Sequence, residues 1–224
     1  DNKKVTLAVE GYDNPIEYLI DQGYLARPTY RRILHDAKGN LTDSEQESIS
    51  THLDISRANL IRLGQDEQRN LKMLVEVEKL TDAHSRVLLF APSVESAKLL
   101  ATVLQAHDHP VEARVVTSDT ERSQRRLVLE WFKEPTDSPR VVCNYGVLTT
   151  GFDAPKTSAV VIGRPTKSLV LYSQMVGRAL RGPEVDCNPT AEVVTVVDTK
   201  LPGFRDLSEA FMNWEDAGWE KITE

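Results

Sequence analysis

Gln174, Arg178 and Arg181 stand four and three residues apart in the run Gln174-Met175-Val176-Gly177-Arg178-Ala179-Leu180-Arg181. On a helix this spacing places all three on one face, and Gly177 keeps the surface between them low. Two neighbouring guanidiniums with no carboxylate close by in sequence repel each other, and an anion between them removes that cost. The guanidinium fork matches the oxygens of a phosphate. A solvated arginine pair on a surface helix is the plainer reading of the same residues. About 25 residues upstream lies Val147-Leu148-Thr149-Thr150-Gly151-Phe152-Asp153-Ala154-Pro155. Its threonine hydroxyls can donate to phosphate oxygens. Gly151 lets the backbone approach a ligand or take a positive φ, and Asp153 can accept from a sugar hydroxyl or a water. A plain turn carrying Asp and Pro is the alternative.

The charge distribution supports an anion site. The chain has 224 residues and a net charge of −7, which argues against a general affinity for nucleic acid. Residues 154–183, however, contain no Asp or Glu and carry Lys156, Arg164, Lys167, Arg178 and Arg181, a local charge of +5. The remainder holds 22 cationic and 34 anionic side chains, a charge of −12. Chance clustering is the competing explanation. The two cysteines, Cys143 and Cys187, form no C-x-x-C pair, as in a chain from a reducing compartment. No apolar run approaches the roughly 18–20 residues that cross a bilayer, and the polar start is no signal peptide. The expected setting is cytoplasmic and bacterial. The missing initiator Met suggests a piece of something longer.

The elements that must position these residues follow from periodicity. Residues 86–91 form a continuous apolar run, as in a strand buried on both faces. Further strands are predicted over 111–116, 140–143, 159–162 and 193–197. Helices are predicted over 57–83 (with Gly64 a weak point), 93–106 (capped by Ser93), 120–133 (core face Leu127, Trp131 and Val128) and 169–181. This alternation implies an α/β fold, a mainly parallel sheet with helices on both faces. Residues 1–56 read as an appendage, with a short helix from Pro15 to Gly23, a strand over 27–34 and a helix capped by Thr42 or Asp43. In such sheets ligands bind at the carboxyl ends of the strands. Ser93, Thr117, the 147–155 loop and Gly163-Arg164-Pro165-Thr166 all follow strand ends.

Taken together, the two motifs resemble those of superfamily 2 helicases. Leu148–Pro155 is similar to motif V, and Gln174–Arg181 matches the Q-x-x-G-R-x-x-R form of motif VI. Val87–Ser93 resembles motif IV, and Thr117–Arg125 the turn and helix that follow. Arg164-Pro165-Thr166-Lys167-Ser168 resembles the restriction-subunit and DNA-repair branch. The resemblance covers about 86–198, the second RecA-like domain, and implies a three-layer RecA-like fold. It divides the chain into a linker from a preceding motor domain (1–56), the helicase C-terminal domain (57–202) and a tail (203–224). It implies that Arg178 and Arg181 act as arginine fingers on the γ-phosphate of ATP and that Gln174 orders the phosphate and the attacking water. Gly151 and Asp153 would lie at the nucleotide edge. Ser93, Thr117 and Thr149 would touch the backbone of a DNA strand without reading its sequence. ATP and Mg²⁺ would be held only together with the N-terminal RecA-like domain of the same polypeptide.

Two family features are missing from the sequence. It holds no G-x-x-x-x-G-K-[ST], indeed no Gly-Lys dipeptide, and no strand is followed by an acidic box. Asp66-Glu67-Gln68-Arg69 reads instead as the solvated face of a helix. The chain is therefore expected to be half of an ATP-dependent DNA helicase or translocase, inactive alone. An RNA helicase half and a non-catalytic RecA-like adaptor are the alternatives; the adaptor would have no need of Arg178 and Arg181. His107-Asp108-His109 lacks a third ligand in view, so no metal site is expected. Trp131-Phe132 and Cys143 read as core residues. Phe211, Trp214 and Trp219 read as an amphipathic tail docking on the domain.

Overall fold

The computed structural model describes residues 5–6, 9–12, 15–36, 55–106, 111–136, 138–149, 156–201 and 220–221. A pair of two-residue strands, β1 (Val5–Thr6) and β8 (Glu220–Lys221), stands apart from the main sheet. That sheet holds β2 (Arg27–His35), β3 (Arg86–Phe90), β4 (Glu112–Thr117), β5 (Arg140–Tyr145), β6 (Ala159–Ile162) and β7 (Thr190–Asp198). Their order is β2-β7-β6-β3-β5-β4, and every pairing is parallel. Parallel strands need crossovers, and helices supply most of them. The helices are α1 (Pro15–Asp21), which alone precedes the sheet, α2 (Arg57–Gly64), α3 (Glu67–Thr81), α4 (Val94–Ala106), α5 (Arg122–Lys133) and α6 (Leu169–Val176).

Burial follows the apolar pattern. All five residues of β3 and all four of β6 are buried. One core lies between the sheet and α3 and α4, with Met73, Val77, Leu89, Leu100 and Val161 at its centre. The other lies on the opposite face and gathers Leu88, Phe132, Val142, Tyr172, Met175 and Val176. This is the α/β arrangement with helices on both faces that the alternation implies, and the three-layer form that the resemblance implies. Cys143 sits in the first core, and burial pushes its thiol up to about 12.

Four expectations need correction. The strand predicted over 27–34 forms, one residue longer, but it is no appendage. It pairs with β7 over nine residues, Arg27 to His35, and is the edge of the main sheet. The helix predicted over 57–83 is two helices, α2 and α3. A Cβ on Gly64 would lie 2.7 Å from Ser93 Oγ, so α4 packs tightly where α2 stops. The new start at α3 is capped by the Asp66 side chain, which accepts from Arg69 N–H at 2.9 Å. Leu127, predicted in the core, is 50 % exposed; Trp131 and Phe132 are the residues of α5 that enter it. Finally, α6 ends at Val176, five residues short of Arg181. Gly177 caps it, and Arg178 and Ala179 bond three residues back, to Met175 O and Val176 O. The predicted helix over 42 onward, the His107-Asp108-His109 cluster and Phe211, Trp214 and Trp219 lie outside the described residues.

Candidate functional site

The carboxyl ends of β3, β5 and β6 form one rim, and α6 starts beside it. Thr166 Oγ1 accepts from Ser168 N–H at 3.0 Å, and Ser168 Oγ accepts from Leu171 N–H at 3.2 Å. These two turns aim α6 back across the sheet. Inside, the Tyr172 hydroxyl shares a 2.7 Å hydrogen bond with Thr195 Oγ1 of β7. Burial raises the Tyr172 phenol, the Thr195 bond opposing it only in part, so this tie persists across the working pH range. Helix α6 is thereby fixed from its start to its last turn, which carries Gln174, partly exposed.

Arg178 emerges just past that turn. Its Nη2 donates to Thr149 O at 2.7 Å. The chain leaving β5 reaches this position through Gly146 (φ 68°) and Leu148 (φ 64°). A positive φ at leucine is a strained conformation. It holds here because the Leu148 side chain is buried in the core beneath α6. The next residue, Thr149, presents its carbonyl to the guanidinium. Desolvation lowers the Arg178 pKa, yet a guanidinium stays charged at any working pH. A partly buried, fixed cation acts on an anion more strongly than a solvated one. Arg181 lies three residues further on, in an isolated antiparallel bridge with Leu25. The two arginines thus lie on the turns that follow α6, Arg181 beside the chain that enters β2, while the shared helical face expected from their spacing is not formed.

Gly151 and Asp153 fall in 150–155, outside the described residues. Ser93 is buried and its Oγ accepts from Ser96 N–H at 3.1 Å, a cap for α4. Thr117 is also buried; its Oγ1 accepts from Asp119 N–H at 3.3 Å, and its carbonyl accepts from Arg125 Nη2 at 3.2 Å. Of the three threonine and serine candidates for strand contact, Thr149 alone is partly exposed. After β6, the Arg164 guanidinium stands 5.4 Å from the centre of the Tyr145 ring at the end of β5, a cation–π contact at the rim.

Sequence reasoning missed the group that braces this rim. Arg69, read as solvated, has no exposed surface. Its Nε and Nη2 bind both oxygens of Asp198 at 2.8 and 2.9 Å, and Nη2 also donates to Gly163 O at 2.6 Å. Gly163 is the exit of β6 and Asp198 the end of β7. One buried guanidinium therefore ties two strand ends to α3. Beside it, His35 Nε2 at the end of β2 lies 3.0 Å from Asp66 Oδ2. Burial raises the Asp66 carboxyl, but the Arg69 N–H and the His35 ring more than offset this, and the net shift is downward. A signal was present: Arg69, Met73, Glu76, Val77 and Leu80 lie on one helical stripe, and that stripe is buried.

Among the described residues no group of three His, Cys, Asp or Glu side chains is placed to hold a metal, and no helix is long and apolar enough to cross a membrane.

The profile of the helicase conserved C-terminal domain matches residues 69–183, from the buried Arg69 to just past Arg181. The putative ATP-dependent helicase IRC3 of Saccharomyces cerevisiae is 26 % identical over 179 residues, covering 76 % of this chain and 24 % of that protein. In structure the chain is similar to a fragment of a putative HsdR subunit of a type I restriction enzyme from Vibrio vulnificus, with a TM-score of 0.59 and 21 % identity, covering 92 % of this chain and 36 % of the other. It is also similar to the ATP-dependent type ISP restriction-modification enzyme LlaBIII bound to DNA, with a TM-score of 0.54 and 17 % identity, covering 81 % and 13 %. The chain spans less than a third of the length of the curated relatives it matches.

Proposed function

The chain belongs to the helicase conserved C-terminal domain family, and from that premise we propose that it is the second motor half of an ATP-dependent DNA helicase or translocase. The observation that carries the reading is Arg178. It is a partly desolvated guanidinium, pinned by the Thr149 carbonyl of the loop that leaves β5, within a stretch of chain that has no acidic residue. Arg178 and Arg181 present their charge to the γ-phosphate of ATP bound to a preceding RecA-like domain. Gln174, on the turn before them, orders the phosphate and the attacking water. Gly151 and Asp153 meet the nucleotide edge. The charge that builds on the phosphoryl oxygens during transfer is what such arginines stabilise, worth about 10³–10⁵ in rate.

A donor set of guanidiniums and main-chain groups suits phosphate oxygens. It does not suit Mg²⁺, which takes oxygen ligands from carboxylates. The metal and the phosphate-binding loop are accordingly assigned to the preceding domain, and this half alone does not turn over ATP. Thr149, and Arg164 on the Tyr145 ring, meet the backbone of a DNA strand. Ser93 and Thr117, their hydroxyls turned inward, shape the rim from beneath. Closure of the two halves on ATP and reopening after hydrolysis would alternate the grip on that strand.

The test is ATP turnover by the two-domain polypeptide and by this chain alone, with single-stranded DNA or RNA added. Arg178→Ala in the two-domain polypeptide is expected to lower kcat by about 10³ or more. DNA is expected to stimulate turnover more than RNA. Turnover by the isolated chain that Arg178→Ala abolishes, or a two-domain Arg178→Ala variant with full activity, would reject the reading.

A further inference from the structure

Arg181 sits in a short ladder formed with a distant part of the chain. Ala26 N–H donates to Leu180 O at 2.9 Å and Gly182 N–H donates to Tyr24 O at 3.0 Å, so the two bonds flank the Leu25–Arg181 bridge. Glu184 N–H adds a third bond, to Gly23 O at 3.0 Å. Two glycines permit this approach. Gly23 has φ +75°, the left-handed region that glycine adopts readily. A Cβ on Gly182 would be driven into the Gly23 carbonyl and would lie 2.8 Å from Leu25 N.

The turn is anchored on both sides. Toward the interior, Ala26 is buried in the same cluster as Met175, Val176 and Ala179. Toward the N-terminus, Tyr24 and Leu25 N–H both donate to Leu19 O in α1, at 2.8 and 3.0 Å. Displacement of α1 is therefore passed to the backbone on each side of Arg181. Arg178 has a different anchor, the Thr149 carbonyl in the loop that leaves β5. The segment that holds Arg181 precedes the family match, which starts at residue 69.

We propose that residues 23–26 are a positioning element for Arg181, fixing the backbone from which its guanidinium projects and coupling it to α1. The proposal rests on Arg181 acting at the phosphate. Its scale is set by the sensitivity of catalysis to placement, where a shift of about 1 Å costs on the order of 10²-fold. Helix α6 has already ended at Val176, so its own hydrogen bonds do not fix Arg181. The ladder takes their place.

A double-mutant cycle on ATP turnover by the two-domain polypeptide tests it. Gly182→Ala forces the ladder apart. It is expected to lower kcat about tenfold while KM for ATP changes less than about twofold. Added to Arg181→Ala, it is expected to cost less than a further ~2-fold, because its effect passes through that arginine. Equal losses in the two backgrounds would overturn the proposal and leave the arginine reading intact. Undiminished kcat in Arg181→Ala would remove both. Ala26→Pro deletes the donor to Leu180 O and provides a second route should Gly182→Ala not fold. In this chain by itself it is expected to speed hydrogen exchange at Gly182 and Glu184 while the β3 amides keep their protection. Unchanged exchange together with unchanged kcat in Ala26→Pro would also overturn the proposal.

Discussion

Arg69 carries a full charge with none of its surface in water, and its partner Asp198 is almost as deeply buried. Taking both ions out of water is costly, and the pair offsets this through bidentate geometry and the extra bond to Gly163 O. Removing one partner leaves the other charged and alone. Arg69→Ala is therefore expected to destabilise the chain by about 3–5 kcal/mol, read as a fall in the urea midpoint. A loss below about 1 kcal/mol, typical of exposed ion pairs, would show that water reaches Asp198. The reach of the effect matters more than its size. Gly163 leads into Arg164, which stacks on Tyr145 at the rim, so this one side chain sets the floor on which the proposed strand contacts rest.

Helix ends decide where the site residues go, and they are where sequence and structure part company. Strands β3 and β6 are legible because a continuous apolar run leaves one physical solution, burial on both faces. Arg178 and Arg181 were legible by type, since their spacing and the absence of acid are local facts. Their placement was not. Period alone carries α6 through to Arg181, whereas the helix ends at Val176 and from Leu180 onward a backbone ladder with residues 23–26, invisible to any local pattern, takes over. The break between α2 and α3 showed in the sequence only as a weak point at Gly64, for a related reason. Asp66 was weighed as a surface acid, but it caps α3 and meets the buried His35. Its carboxyl is lower in the folded chain than in the unfolded one. Between the two values the unfolded chain binds more protons, so stability rises with pH. The contribution of Asp66 is whole above the ordinary carboxylate range and is lost as pH falls through its folded value. Asp66→Asn keeps a competent cap but removes the charge. At pH 7 it is expected to cost about 0.5–1 kcal/mol, and that gap should narrow as urea titrations are repeated at pH values below the ordinary carboxylate range. Glu76, also lowered overall, is present in both proteins and cancels. A gap that stays constant with pH would remove the charge from the account.

At the scale of the whole molecule, β2 stands out. It comes first among the strands of the main sheet, yet it pairs with the last of them, β7. The sheet is thus closed at this edge by chain that precedes the residues matched by the family, 69–183. The pairing is fastened from outside by side chains. Arg31 of β2 bonds to Glu192 of β7 at 2.5 Å and to Glu76 of α3 at 2.6 Å, and Glu192 also meets His84 at 3.3 Å. Without β2, the nine-residue edge of β7, whose last six residues are buried, would offer unpaired N–H and C=O groups to another chain. Ala26 would leave its place under α6, and the ladder at Arg181 would go with it. Deleting residues 1–36 is therefore expected to lower Tm by roughly 5 °C or more and to turn the protein into a self-associating species, seen by light scattering after size exclusion. Loss of stability with retention of the monomeric state would mean that β7 is protected by some other element. A truncated chain with unchanged Tm would show that β2 is passive, and that the edge of this sheet is held by the domain core without help from the segment ahead of it.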